Sequence, residues 1–291
     1  MLLAAAALTL AALRAAVHHV IRVSLGAPRV RETETPAAFG LAFEAVRIPT
    51  ANGKQLHAWL VPAGAAGPAP VVVVLHGWGG NAQMMLPLAR PLHEAGFAAL
   101  FLDARCHGLS DADSFASLPR FAEDASHACD WLLARADIDS RRIVLLGHSV
   151  GAGAALFAAA NRQDVAAVVS ISAFAHPAEM MRRWLAAKRI PDAPARYILG
   201  HVERVIGHRF DDIAPIRSIA RLRCPVLLVH GEQDAIVPPA DARRLHDAGQ
   251  AATATVQLSI LPGDHESFVE LERELAAVVG FLQRVRPRPA T

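Results

Sequence analysis

A chain of 291 residues, 53% hydrophobic and 19% charged, is long enough to bury one extended core or two small ones. Its formal charge of +2 is scattered in pairs such as Arg141-Arg142 and Arg243-Arg244, and aromatics make up only 5%, which argues against a nucleic-acid partner. The three cysteines, Cys106, Cys129 and Cys224, are odd in number and far apart. They match no metal or disulfide spacing, and this fits a reduced compartment.

Residues 2–13 are almost wholly Ala and Leu, after which Arg14, His18 and His19 interrupt the apolar run. A spanning helix needs about 20 apolar residues, and 2–21 reach that only by tolerating these interruptions. The positive charges (Arg14, Arg22, Arg29, Arg31) follow the run, unlike those of a cleaved secretory peptide. The expectation is an N-terminal apolar helix over 1–23 that associates with a membrane and leaves a cytoplasmic catalytic domain. The alternative is an Ala-rich helix packed on the surface of a cytoplasmic protein. Residues 24–40, with Gly26, Pro28 and Pro36, read as a linker.

Phe43–Pro49 and Gln55–Val61 alternate polar and apolar around Asn52-Gly53, predicting an antiparallel hairpin. Short apolar runs follow at Pro70–Leu75, Ala98–Leu102, Ile143–Leu146, Val165–Ile171, Val226–Val229 and Ala254–Leu261. Between and after them Phe121, Ala125, Ala128, Leu132 and then Phe268, Leu271, Leu275, Val278, Leu282 recur at helical spacing. This alternation predicts an α/β fold, a mostly parallel sheet with helices on both faces and chemistry at the carboxyl ends of its strands.

Four motifs sit just after predicted strands. Gly147-His-Ser-Val-Gly151 would lift the Ser149 hydroxyl clear of the sheet on a tight turn, with glycines where a Cβ would crowd the chain. His76-Gly-Trp-Gly-Gly80 can offer a backbone N–H to an oxyanion, and Trp78 N–H with Val150 N–H is the expected pair. In Asp103–Ser110 the expectation is structural: Asp103 pairs with Arg105, and His107 braces neighbouring loops. Cys106 in that loop is read as a small filler. The regions 231–238 and 261–267 supply Asp234 and His265, and Glu266 or Ser267 could cap the last helix. Of fourteen histidines, only His265 follows both the serine and an acid on separate strand-end loops. Ser149, Asp234, His265 is the order that accompanies G-x-S-x-G. Glu232 and Asp264 are rival acids. Asp264 adjoins His265, and neighbours in sequence rarely aim their side chains at each other.

Taken together, Leu75–Gly80, Asp103–Ser110, Gly147–Gly151, His230–Asp234 and Gly263–His265 resemble the motif series of the alpha/beta-hydrolase superfamily. Within it they are similar to serine-aminopeptidase-like and prolyl-oligopeptidase-like bacterial hydrolases. The resemblance covers roughly residues 40–285. It implies an eight-stranded sheet, Ser149 as nucleophile, His265 as base, Asp234 as its orienting acid, and an oxyanion hole from the Trp78 and Val150 amides. One departure is Cys106, where the family's loop most often has glycine. The resemblance also makes the long stretch between the strands at 165–171 and 226–229 a helical cap, placed at 174–222 of a catalytic domain spanning 41–285, with a tail at 286–291. Phe174, Tyr197, Ile198 and Leu199 give that insertion apolar faces, and Met180, Met181 and Trp184 would line an acyl pocket or else simply pack the cap.

The expected activity is hydrolysis of an ester or related acyl bond of a small-molecule substrate through an acyl-serine, with no metal or organic cofactor. A peptidase of short peptides and an acyltransferase would use the same triad. A membrane-tethered binding protein would have no use for the complete serine, acid and histidine set. The sequence is silent on oligomeric state.

Overall fold

The alternating pattern folds into a single sheet in the computed structural model, which describes residues 2–64, 67–252, 255–266 and 271–285. In chain order the elements are α1 (Leu2–Ser24), β1 (Glu44–Thr50), β2 (Lys54–Val61), β3 (Ala69–Leu75), α2 (Ala89–Glu94), β4 (Ala98–Leu102) and α3 (Leu118–Leu133). Then come β5 (Ile138–His148), α4 (Val150–Ala160), β6 (Val165–Ile171), α5 (Pro177–Ala187), α6 (Asp192–Ile206) and α7 (Pro215–Ile219). The chain closes with β7 (Val226–Gly231), α8 (Pro239–Ala251), β8 (Val256–Leu261) and α9 (Leu271–Arg284). Among the described residues the sheet has eight strands in the order β1-β2-β4-β3-β5-β6-β7-β8. β1–β2 and β2–β4 pair antiparallel, and every later pair is parallel.

The unbroken apolar runs explain which strands are central. Every residue of β3, β4, β6 and β7 is buried, as strands covered by helices on both faces require. The pleat sends alternate side chains into two separate cores. Val71, Val73 and Leu75 join Phe121, Ala125, Ala128 and Leu132 of α3 and the small residues of α4. Val72 and Val74 face Leu92 of α2 and Val278, Phe281 and Leu282 of α9. The hairpin closes on Asn52 (φ 60°) and Gly53 (φ 65°), both left-handed, as the Asn-Gly pair predicts.

Some boundaries differ from expectation. β5 begins at Ile138, five residues early, because Asp139 pairs with Arg142 (2.8 Å) and Arg141 (3.6 Å) and lets a polar stretch extend the strand. β8 begins at Val256; Ala254 lies outside the described residues, as do Ser267, Phe268, the tail 286–291 and the side chain of Leu271. The insertion between β6 and β7 is helical, holding α5, α6 and α7.

The expected membrane segment at 2–21 is not supported: among the described residues no helix is long and apolar enough to cross a membrane. One of the interruptions that weaken the apolar run, His18, has partners in the fold. His18 Nε2 hydrogen-bonds Tyr197 Oη of α6 at 2.8 Å, its ring stacks on His201 at 3.8 Å, and Ile21 is buried. The carboxyl-terminal half of α1 therefore packs on the insertion.

Candidate active site

β5 ends at His148 and α4 begins at Val150, leaving Ser149 alone on the turn with φ 54° and ψ −116°. A positive φ at a serine costs about 1–3 kcal/mol and persists only where the surroundings enforce it. Here Ser149 N–H donates to Ile171 O at 2.8 Å, and Gly153 N–H donates to Ser149 O at 3.1 Å. The flanking glycines are steric necessities. A Cβ on Gly147 would strike the Gly151 carbonyl, and one on Gly151 would strike the His76 carbonyl and lie 2.8 Å from Leu75 O. The elbow is thus pressed between β5 and the end of β3 by backbone contact alone.

The acid and the histidine arrive from the carboxyl ends of β7 and β8. His265 Nε2 lies 3.0 Å from Ser149 Oγ, and His265 Nδ1 lies 2.7 Å from Asp234 Oδ2. Both partners are buried, Asp234 to 4% exposure and His265 to 5%. Asp234 Oδ1 accepts the amides of Ile236 (2.9 Å) and Val237 (2.7 Å). His230 Nε2 lies 3.2 Å from Oδ2 and also bonds Val237 O at 2.8 Å. Burial alone would raise this carboxyl, but the hydrogen bonds from His230, His265 and the Val237 amide prevail and hold it well below the ordinary carboxylate range. An ionised acid on Nδ1 fixes the tautomer: Nδ1–H donates to Asp234, and the Nε2 lone pair faces the serine hydroxyl. His148 adds a contact on the opposite side, its Nε2–H donating to the His265 carbonyl at 2.7 Å. Burial lowers the His148 pKa and keeps the ring neutral.

The rival acids are occupied elsewhere. Glu232 is exposed and accepts from its neighbour Gln233 (3.1 Å), while Asp264 accepts the Glu266 amide (3.0 Å) in its own turn. The residues between Glu266 and Leu271, where a cap of the last helix would lie, fall outside the described residues.

The loop after β3 turns tightly, with Gly80 N–H donating to Gly77 O at 3.1 Å. Neither the Trp78 nor the Val150 amide donates to an acceptor among the described residues. Val150 opens α4, where first-turn amides lack helical partners and favour negative charge. His76 has the structural part expected of it: Nε2 accepts Ala104 N–H at 3.2 Å, and burial pushes its pKa down to about 3. His107 braces the loop, accepting Gly79 N–H at 3.2 Å on Nε2 and bonding Arg105 O at 3.0 Å through Nδ1.

The expected Asp103–Arg105 pair does not form. Arg105 turns away to α3, meeting Asp124 (2.7 Å) and Glu123, and also reaches Asp113 (3.3 Å). Asp103 instead accepts the Ala82 (2.7 Å) and Leu109 (2.9 Å) amides, joining the loops after β3 and β4. Cys106, at the family's glycine position, has φ 69°, the left-handed backbone that glycine adopts most freely. It is half-buried, and its sulfur accepts Asp113 N–H at 3.2 Å.

Met180, Met181 and Trp184 all fall on α5. The methionines pack against the larger core, and Trp184 lies under Lys188 Nζ, 5.1 Å from the ring centroid. Trp78 and Ile236, on the loops after β3 and β7, are 43% and 50% exposed apolar side chains that the sequence does not single out for substrate contact. His230 and His148 were hidden among fourteen histidines; the one signal for His230 is its place at a strand end four residues before the acid. Among the described residues no group of three or more His, Cys, Asp or Glu side chains is arranged to hold a metal ion.

The family model described as serine aminopeptidase, S33, matches residues 66–208. An uncharacterised protein of Mycobacterium tuberculosis is 32% identical over 218 residues, covering 75% of this chain and 70% of its own. An alpha/beta hydrolase domain-containing protein of Arabidopsis thaliana is 27% identical over 220 residues, covering 73% and 68%. Among solved structures, an esterase of Pyrococcus furiosus superposes with a TM-score of 0.72 at 19% identity, covering 89% of this chain and 99% of that one.

Proposed function

Since this chain belongs to the alpha/beta-hydrolase superfamily, we propose that it is a serine hydrolase that cleaves an ester of a small-molecule substrate through an acyl-Ser149 intermediate. The observation that carries this reading is the unbroken hydrogen-bond chain Ser149 Oγ–His265–Asp234, at 3.0 and 2.7 Å. Ser149 Oγ attacks the acyl carbonyl as its proton passes to His265 Nε2. Asp234, ionised, stabilises the imidazolium that forms. The carbonyl oxygen becomes an oxyanion received by the Trp78 and Val150 N–H groups, which have no other acceptor among the described residues. His265 then gives its proton to the leaving alcohol, and a water activated by the same Nε2 releases the acid.

Residues 41–285 form the catalytic domain in this reading and 174–222 its cap. Met180, Met181 and Trp184 are candidates for an apolar wall, and the exposed Trp78 and Ile236 are candidates for its rim. A peptidase reading has one specific support, the description of the matching family model. A panel of p-nitrophenyl esters of rising acyl length, run beside aminoacyl anilides, decides between them. Ester turnover that exceeds anilide turnover and vanishes in Ser149→Ala supports the proposal, whereas anilide turnover alone replaces it with the peptidase.

A further inference from the structure

Residues 28–34, a linker by composition, cross the oxyanion loop and the loop after β4. Pro28 lies against Gly79, where an added Cβ would come within 2.8 Å of Pro28 Cγ. Asn81 Nδ2 donates to Val30 O at 3.1 Å, and Gln83 Oε1 accepts the Thr33 (2.7 Å) and Glu34 (3.1 Å) amides. Arg29 Nε donates to Gly108 O at 2.9 Å, and its Nη2 donates to Ser110 O. The segment therefore grips the stretch immediately after Trp78 and the loop whose His107 holds Gly79.

Glu32 points inward from this segment. Both its carboxyl oxygens are buried, and no described N–H donates to them. They lie beside the Asp103 carboxyl, so closely that a Cβ on Gly108 would overlap Asp103 Oδ2 and Glu32 Oε1 together. Two ionised carboxylates cannot share a dry site, and one retained proton removes the repulsion. We propose that residues 28–34 are a strap that positions the oxyanion loop, and that the Glu32 carboxyl packed against the Asp103 carboxyl is its clasp. Glu32 is then a positioning residue for the Ser149 chemistry, an inference that rests on the hydrolase reading above.

The charged and titratable groups around the clasp leave that proton where it is. Arg29 of the strap donates to the Gly108 and Ser110 carbonyls and Arg47 of β1 to Leu109 O at 3.1 Å, and neither donates to the Glu32 or Asp103 carboxyl. His57 of β2 is held neutral by burial, and burial likewise lowers His107. Asp111 is engaged by the Gln55 amide at 2.8 Å. Burial and the facing Glu32 push the Asp103 carboxyl up to about 8. Closing the strap thus takes up a proton and opening returns it to solvent. Closure weakens as pH rises from the ordinary carboxylate range, and its penalty is complete above about 8.

The test uses the full chain as wild type, Glu32→Gln and Glu32→Ala, with kcat and KM for a p-nitrophenyl ester from pH 6.5 to 9.5. Hydrogen exchange is followed in parallel over residues 28–34 and 76–82, corrected for the intrinsic rate at each pH. Wild-type kcat should fall on the order of tenfold above pH 8 with little change in KM, as loss of an aligned oxyanion donor requires. Glu32→Gln, which keeps a neutral hydrogen-bonding group, should retain kcat near pH 7 and lose the alkaline fall. Glu32→Ala should lose on the order of tenfold in kcat at every pH and exchange faster in both segments. A flat wild-type profile, an unchanged alkaline fall in Glu32→Gln, or wild-type exchange in Glu32→Ala each overturns the strap. If wild type turns over no ester, the hydrolase reading fails instead. The exchange rates of Glu32→Ala, and of wild type above pH 8, then still decide the strap.

Discussion

The two halves of the candidate site are built on different principles. On the nucleophile side, β3, β5 and α4 meet backbone to backbone, and the Ser149 turn is enforced by sterics at Gly147 and Gly151. On the acid–base side, the loops after β7 and β8 also meet through backbone at Gly231 and through the Glu232 and Gln233 amides (2.8 Å each), but the acid and histidine side chains are set by hydrogen bonds: His265 to Asp234, His230 to Val237, His148 to the His265 carbonyl. A steric constraint has no graded failure, since an added atom needs the strand or the helix to move. A hydrogen-bonded constraint can be loosened one contact at a time. Substitutions of the elbow glycines should therefore cost folding, and those of the hydrogen-bonding side chains on the acid–base side should cost rate while leaving the fold intact.

The sharpest way to break this contrast is Gly151→Ala. Overpacking against the His76 and Leu75 backbone should destabilise by at least about 3 kcal/mol, read as loss of soluble protein or a fall in thermal midpoint. A fully stable Gly151→Ala would show that the elbow can relax and would dissolve the distinction. On the other side, Asp234→Asn should keep the fold but lower kcat by about 10³–10⁴, because an amide cannot hold the productive tautomer or the imidazolium. It should also change the acid limb of stability. Asp234 is depressed in the folded protein, so its contribution is complete above the ordinary carboxylate pKa and declines as pH falls below about 4. Acid unfolding of Asp234→Asn should lack that component.

Smaller effects sharpen the comparison. His148→Leu removes the donor to the His265 carbonyl and should cost about tenfold in kcat, with KM little altered. His230→Gln keeps a donor near Val237 O and should cost only a few-fold. If His230→Gln proves worse than His148→Leu, then Asp234, and not the His265 backbone, is the fragile point of that side.

The same contrast explains what could be read from sequence. Steric demands leave glycines at fixed offsets, and apolar runs mark strands that must be dry, so the elbow, the sheet and the serine, acid and histidine candidates are legible from residue order. Side-chain bracing leaves no such pattern. Arg105 sits two residues from Asp103, yet its long side chain finds Asp124 on α3, while Asp103 serves amides from two loops. At the amino terminus the Ala and Leu content suggests a membrane, but no helix among the described residues is long and apolar enough to cross one, and His18 and Ile21 pack on the fold. The segment at 28–34 has no periodicity at all, so its grip on Gly79, Asn81 and Gly108 emerges only in three dimensions.

The central claim is that Ser149 is the activated nucleophile, and fluorophosphonate labelling followed by peptide mapping tests it most directly. Wild type should take up one equivalent, on the peptide carrying Ser149, and Ser149→Ala should take up none while folding normally. Labelling at another serine, or undiminished labelling of folded Ser149→Ala, would contradict the account.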